Sequence, residues 1–391
     1  MYSNYKSLIY NLLLLFLVTA TIVTIKMPGT QDFPVYQLFY LVFFISIPHK
    51  LAYKQQILVV TSFCWGVIFI WGCFLAFSYG FKSHHFNNLL WVITIILSCH
   101  VFSALMQFDN RRYWIYRFFI IITSLIALSG IYEGLTGIYY HETDATYLFA
   151  KTELGFYRPN TIFYNVNDNA IFATLCLLLS SFYPEKLKEY WVVQLFSLFL
   201  FGANIIMVNS RGAILSTVAF LALSIIYYKF KRNAMLLIIM SIIISLPFFS
   251  MILQSEFFDD GGRNAIWAMS VKSLVSSSFM GVGPGEIAEV NSRLNVMKNV
   301  VAVHNFVLEI ICDYGIIGAL GMLVWFYHLF KSGYEMYKKG INFKMLPALI
   351  AFLLSSITCS SIVGKGFSLF FFAIIVAEMN RNLIRQKKNI K

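Results

Sequence analysis

Apolar runs long enough to cross a lipid bilayer follow one another along almost the whole sequence, at 8–25, 35–47, 56–78, 88–106, 114–132, 168–183, 190–208, 213–229, 234–252, 304–330, 345–362 and 366–383. A hydrocarbon core ~30 Å thick takes about 20 helical residues to span. Inside it, only helices and closed barrels satisfy their own backbone groups. The pattern predicts an all-α polytopic membrane protein with about twelve transmembrane helices, forming a single transmembrane domain over residues 1–391. Composition agrees: 59% of residues are hydrophobic and only 12% are charged, too few to cover the surface of a soluble domain of this size.

A net charge of +12 would point a soluble chain toward nucleic acid. Here the charge serves topology. Counting alternate connections from the amino terminus, one set of short segments holds Lys6, Lys50, Lys54, Arg111, Arg112, Lys186, Lys188, Lys229, Lys231, Arg232, Lys331, Lys338, Lys339, Lys344 and the basic tail from Arg381 to Lys391. The positive-inside rule assigns that set, with both termini, to the cytoplasm. The expected partner is membrane lipid, with no nucleic acid. The first run follows Lys6 like a signal peptide, but further spans come at once and no small-residue cleavage site stands after it, so a retained helix is expected. The cysteines, Cys64, Cys73, Cys99, Cys176, Cys312 and Cys359, lie in or beside apolar runs without CxxC spacing. They read as packing residues and imply neither disulfides nor a metal site.

Two segments on the opposite, outer side are long: 133–167, and 253–303 between the ninth and tenth runs. Both mix aromatics and glycines with charges, which favours packed structure. The second is expected to form the active-site region.

The residues able to carry chemistry gather on that side. Arg211, in VNSRGAIL with Asn209 and Ser210, opens the eighth run at the membrane surface, where an arginine either meets an anion or merely anchors the helix end. Arg263, in FDDGGRNAIW, starts a predicted helix with Trp267 and Val271 on one face. Backbone N–H groups and a planar guanidinium together suit phosphate oxygens, and pairing with Asp259 or Asp260 is the alternative. His304 opens the tenth run beside a stripe made by Asn305, Glu309 and Asp313 at every fourth residue, which suits a general base near neutral pH. YRPNTIFYNVNDNAIF brings Arg158, Asn160, Asn165, Asn167 and Asp168 to the start of the sixth run, where amides serve either a sugar-binding rim or helix caps. GVGPGE lacks the Lys-Ser/Thr ending of a nucleotide loop and reads as a shaping turn; GIIGALG reads as close helix packing.

In this order, S-R-G, G-R with a downstream Trp, G-x-G-x-G and H-N-x-x-L-E with a following G-I-I-G resemble the O-antigen ligase and O-antigen polymerase superfamily, over about 158–321. The resemblance implies a GT-C-like bacterial glycosyltransferase of the cytoplasmic (inner) membrane, using an undecaprenyl-diphosphate-linked oligosaccharide donor without cofactor or metal. It implies that Arg211 and Arg263 grip the diphosphate and that His304 takes the acceptor proton, with Arg158, Asn167, Asn209, Ser210, Asn305 and Glu309 as substrate contacts. A growing glycan as acceptor makes a polymerase of O-antigen, capsule or exopolysaccharide repeat units, the reading that NVNDNAIFA favours; lipid A-core as acceptor makes a ligase. Alternatives from other classes are a twelve-span transporter, which would show repeated halves and ionisable groups at mid-membrane, and a non-catalytic membrane scaffold.

Overall fold

A computed structural model describes residues 2–24, 34–46, 56–139, 151–152, 154–163, 165–185, 187–230, 263–293, 303, 305–342, 344–358 and 365–389. The apolar run 234–252, Asp259, Asp260, the glycines before Arg263, Cys359 and His304 itself lie outside these residues.

The described residues form helices: α1 (Tyr2–Val23), α2 (Val35–Ser46), α3 (Gln56–Ser78), α4 (Ser83–Leu105), α5 (Asp109–Thr136), α6 (Val166–Ser180), α7 (Tyr190–Val208), α8 (Arg211–Phe230), α9 (Arg263–Ser276), α10 (Glu286–Arg293), α11 (Phe306–Lys338), α12 (Met345–Thr358) and α13 (Gly366–Asn389). Every predicted run other than 234–252 coincides with one of them. Seven are long and apolar enough to cross a membrane, namely α3, α4, α5, α7, α8, α11 and α13. The shorter apolar helices include α2, α6 and α12. The 15 residues of α6 reach about 22 Å at 1.5 Å per residue, short of a full crossing. The protein is a multi-pass membrane protein whose described elements are all helices.

Short connections set the alternation. Asn209, left-handed at φ 54°, caps α7 through its N–H to the Ile205 and Ile206 carbonyls; two residues later Arg211 begins α8. Gly137, at φ 71°, closes α5 in the same way. Packing then divides helices by burial. The apolar windows of α13 and α4 are 83% and 72% buried, while that of α8 is 28% buried. The first two form the centre of the bundle and α8 presents most of its surface outward. Between them lies an aromatic cluster in which Trp65 meets Trp91 and Trp325 edge-on, with ring centroids 6.0 and 5.2 Å apart. The Trp325 indole N–H finds the Thr61 hydroxyl at 3.1 Å, so a buried donor is satisfied inside apolar surroundings.

The two ends of the bundle differ in chemistry. At the end holding the start of α1 and the finish of α13, Arg112 Nε lies 2.5 Å from Glu378 Oε1 and its Nη2 donates to the Phe182 carbonyl at 2.9 Å. The Tyr116 hydroxyl donates to the same Glu378 oxygen at 2.9 Å. Arg381 and Arg385 both reach Asp109, and Lys344 Nζ donates to the Ser181 carbonyl at 2.9 Å. At the other end, Gly366 N donates to Thr24 Oγ1 at 3.3 Å and Lys365 pairs with Asp168 at 2.5 Å. The pairing of α1 with α13 places the start of α1 and the finish of α13 at one end, and the start of α6 at the other.

Glu378 is almost wholly buried, and removing the only cation within salt-bridge reach among the described residues would leave a buried charge unpaired. Arg112→Ala is expected to cost ~3–5 kcal/mol and to lower the thermal midpoint in detergent, with Glu378→Gln added in the same chain restoring part of the loss. An unchanged midpoint for Arg112→Ala contradicts this.

Candidate functional site

The end of the bundle that holds the candidate residues is built around a break in α11. Gly315 has φ 63° and ψ −150°, outside the helical region, and the bonds a continuous helix would make there go elsewhere. The Ile316 N–H donates to the Phe279 carbonyl at 2.9 Å. The carbonyls of Cys312 and Asp313 accept from the Val282 and Gly283 N–H groups at 2.9 and 3.0 Å. Backbone that is not helical is tolerated near the membrane only where protein satisfies it, and here the segment between α9 and α10 does so. A Cβ on Gly315 would run into the Met280 backbone, and one on Gly281 would lie 2.6 Å from the Asp313 carbonyl oxygen. The two glycines therefore let two chain segments touch backbone to backbone. GIIGALG does more than pack: Gly321 packs closely on Ile68 of α3, but Gly315 is the break.

GVGPGE is the shaping turn that its sequence suggests. Its three glycines all take positive φ, and the Asp313 carboxylate accepts from Gly285 N at 2.8 Å and Ile287 N at 3.1 Å. These amides sit at the start of α10, where a carboxylate meets unsatisfied N–H groups. Two further groups, one from α3 and one from the residue just after it, close the arrangement: Trp71 Nε1 donates to the Met280 carbonyl at 3.2 Å, and the Tyr79 hydroxyl donates to the Gly281 carbonyl at 3.3 Å.

Glu286, the last residue of the motif, is the acceptor of a three-donor cluster that the sequence reading did not single out. Lys82 Nζ, His84 Nε2 and His85 Nε2 all converge on its Oε1, at 2.5, 3.1 and 2.9 Å. The two histidines and the glutamate are close enough to bracket a cation. The proton positions favour a different role. His85 Nδ1 accepts the Lys82 backbone N–H at 3.2 Å, so the ring carries its proton on Nε2 and offers no lone pair there. We read the cluster as a hydrogen-bonded latch between the α3–α4 turn and α10. Burial raises the Glu286 carboxyl, but the hydrogen bonds from Lys82, His84 and His85 outweigh it and hold the group below its ordinary value of 4.5.

The predicted site residues fall as follows. Arg263 is the first residue of α9, as expected. The helix buries Ile266, Ser270 and Leu274 against the neighbouring protein, while Val271 is exposed. One turn after Arg263, Trp267 Nε1 donates to the Val303 carbonyl at 2.8 Å. Asn305 caps α11, its side chain accepting from Leu308 N at 3.1 Å. The residues on either side of His304 are thus fixed, one by α9 and one by α11. The stripe faces inward: Glu309 and Asp313 are buried, so Asp313 acts on α10. Arg211 stands exposed at the start of α8, with Asn209 capping α7 and the Ser210 carbonyl accepting from Ile214 N at 2.9 Å.

The Asn-rich stretch mostly serves the chain itself. The Asn165 side chain caps α6 by accepting from Asn167 N at 2.8 Å, and Asn169 Nδ2 donates to the Pro159 carbonyl at 3.0 Å. The Glu133 carboxylate accepts from Asn160 N and Thr161 N at 3.0 and 2.7 Å, which holds residues 157–163 on the end of α5. Half-buried Arg158 lies within that pinned strap.

The fold is that of a multi-pass helical membrane protein whose glycine break and Arg211 lie at the end holding the candidate residues. The family model described as O-antigen ligase matches residues 196–323, from α7 across α8, α9 and α10 to the broken part of α11. The chain is also 23% identical over 364 residues to the teichuronic acid biosynthesis protein TuaE of Bacillus subtilis (strain 168), covering 81% of this chain and 73% of that protein. Both matches support a relation to the O-antigen ligase and polymerase superfamily, the family model over residues 196–323.

Asp313→Asn keeps the shape but offers one acceptor oxygen in place of two, so one of the two amides loses its partner, a loss of ~1–3 kcal/mol for a buried unsatisfied donor. Hydrogen exchange at the Gly285 and Ile287 amides is expected to quicken by more than about tenfold, and unchanged protection contradicts the assignment. Because the Glu286 carboxyl is held low, its contribution is present above pH 4.5 and is lost as pH falls through its folded value. The groups facing it are Lys82, His84, His85, Glu289 and Asp313. The protection factor of the Ile287 amide is expected to drop on acidification to about pH 3, and in Glu286→Gln to be low already at neutral pH; equal profiles in the two proteins contradict this.

Proposed function

We propose that this protein transfers a glycan from an undecaprenyl-diphosphate-linked donor to the end of a growing glycan, at the outer face of the cytoplasmic membrane. The observation that carries the reading is the Trp267–Val303 hydrogen bond. It ties the helix that opens with Arg263 to the residue before His304, so two distant parts of the family-matched segment meet at one end of the bundle. TuaE is named for teichuronic acid biosynthesis, which favours a product that is itself a polysaccharide.

In this reading the acceptor hydroxyl attacks the anomeric carbon and the carbon–oxygen bond to the diphosphate breaks. The bonding pair stays on the diphosphate, and the hydroxyl proton passes to His304. Arg211 and Arg263 supply fixed positive charge where the leaving group becomes more negative, which is the most effective use of charge in such a reaction. Arg158, which forms no hydrogen bond or ion pair among the described residues, has its five donors available for phosphate or sugar oxygens. In the same reading Asn167, Asn209, Ser210, Asn305 and Glu309 complete the substrate contacts. Asn305 and Glu309 also hold the start of α11. The reaction so described uses neither metal nor cofactor.

Purified protein given lipid-linked repeat units alone, in the presence of EDTA, is expected to yield a ladder of products on a gel. Arg211→Ala, Arg263→Ala and His304→Ala are each expected to reduce it by about a hundredfold or more, and lysine at either arginine position to fail where bidentate contact matters. Product formed only once lipid A-core is added, as a single transfer, selects the ligase reading; full ladders from the three variants contradict the assignment of these residues.

A further inference from the structure

Beside the latch lies a cavity of about 380 Å³ lined by Tyr79, Lys82, Ser276, Ser277, Val282, Glu286 and Val290. It opens at the functional end, between the α3–α4 turn on one side and α9 and α10 on the other. Its volume is within the ~300–1,000 Å³ of small-ligand sites. Nothing in the transfer chemistry proposed above uses these residues.

Its polar groups are held by the fold and still have capacity. Lys82 Nζ has three donors; one is spent on Glu286 at 2.5 Å, and Glu289 stands 3.6 Å away. The Ser276 hydroxyl donates to the Ser273 carbonyl at 2.8 Å, which leaves its lone pairs to accept. The Tyr79 hydroxyl donates to the Gly281 carbonyl and can likewise accept. Val282 and Val290 add apolar wall, and Phe81, tilted against Phe77 with centroids 5.5 Å apart, is exposed nearby with Tyr79. Fixed donors and acceptors alternating with small apolar surfaces and aromatic rings match a sugar ring, whose hydroxyls both donate and accept and whose carbon face is apolar. The charge balance selects further: one ammonium faces the two carboxylates of Glu286 and Glu289, so a negatively charged sugar would meet repulsion and a neutral one would not.

The geometry points to this cavity as a subsite for an uncharged sugar residue of the glycan, set apart from the reacting groups and formed only when α10 is latched to the α3–α4 turn. The inference rests on the glycosyltransferase reading for the origin of its ligand. Its test is direct binding, which does not depend on turnover.

The full-length protein in lipid nanodiscs would be presented to an array of neutral and uronate-containing bacterial oligosaccharides, beside Val290→Trp, which fills the cavity, and Ser276→Ala, a milder change at an exposed position. Binding of neutral oligosaccharides is expected, weakened about tenfold or more by Val290→Trp and more modestly by Ser276→Ala, as is usual for loss of a buried ligand contact. In the transfer assay, Val290→Trp is expected to raise the acceptor KM with kcat retained. Wild-type binding of no oligosaccharide, preference for uronates, or binding indifferent to both variants would overturn the subsite. Cavity-dependent binding without any transfer would uphold it and overturn the transferase reading, while transfer indifferent to Val290→Trp, together with indifferent binding, would do the reverse.

Discussion

Two helical hydrogen bonds given up at Gly315 hold the functional end together. A straight α11 would pair its own amides and carbonyls and leave the segment between α9 and α10 with unsatisfied backbone of its own. By breaking, it lends the carbonyls of Cys312 and Asp313 to Val282 and Gly283 and takes the Phe279 carbonyl in return. The exchange works only because neither Gly315 nor Gly281 carries a Cβ. Every other feature of that end, from the Asp313 caps on α10 to the meeting of Glu286 with Lys82, His84 and His85, follows from the registration these contacts impose.

That registration matters because the residues in question come from elements far apart in sequence, joined by one small apolar cluster of Leu274, Ile287, Val303 and Cys312. α10 is only eight residues long, too short to persist by itself. It stays in place through charge-assisted hydrogen bonds at both edges, Asp313 on one and the latch on the other. The bundle beneath is of a different kind, held by deep burial of α4 and α13 and by aromatic packing around Trp65. Its opposite end is closed by buried and partly buried ion pairs, Arg112 with Glu378 foremost. A packed bundle thus carries a polar, hydrogen-bonded superstructure at one end.

Much of the bundle was legible in the sequence, because apolar runs of membrane length admit almost no structure but helices. The start of α9 at Arg263, the tight turn before Arg211 and the capping role of the Asn165 region were legible for the same local reason: caps and turns are set by neighbours in the chain. The latch was not. His84 and His85 lie some two hundred residues before Glu286, at the edge of an apolar run, and no local pattern joins them. The direction of the stripe through Glu309 and Asp313 was also hidden, since a helical period of four says that residues share a face but not what that face meets. Gly315 looked like a packing glycine because small-residue spacing and a helix break draw on the same residue.

The account stands on the two ends of the bundle facing opposite sides of the membrane, with α9 outside and the Arg112–Glu378 end in the cytoplasm. Single cysteines placed at Ser276 and at Lys339, in a chain whose native cysteines are replaced, report this through a membrane-impermeant maleimide on intact cells. The account predicts labelling at position 276 without permeabilisation, and at position 339 only after it. The reverse pattern, or equal labelling of both in intact cells, would contradict it.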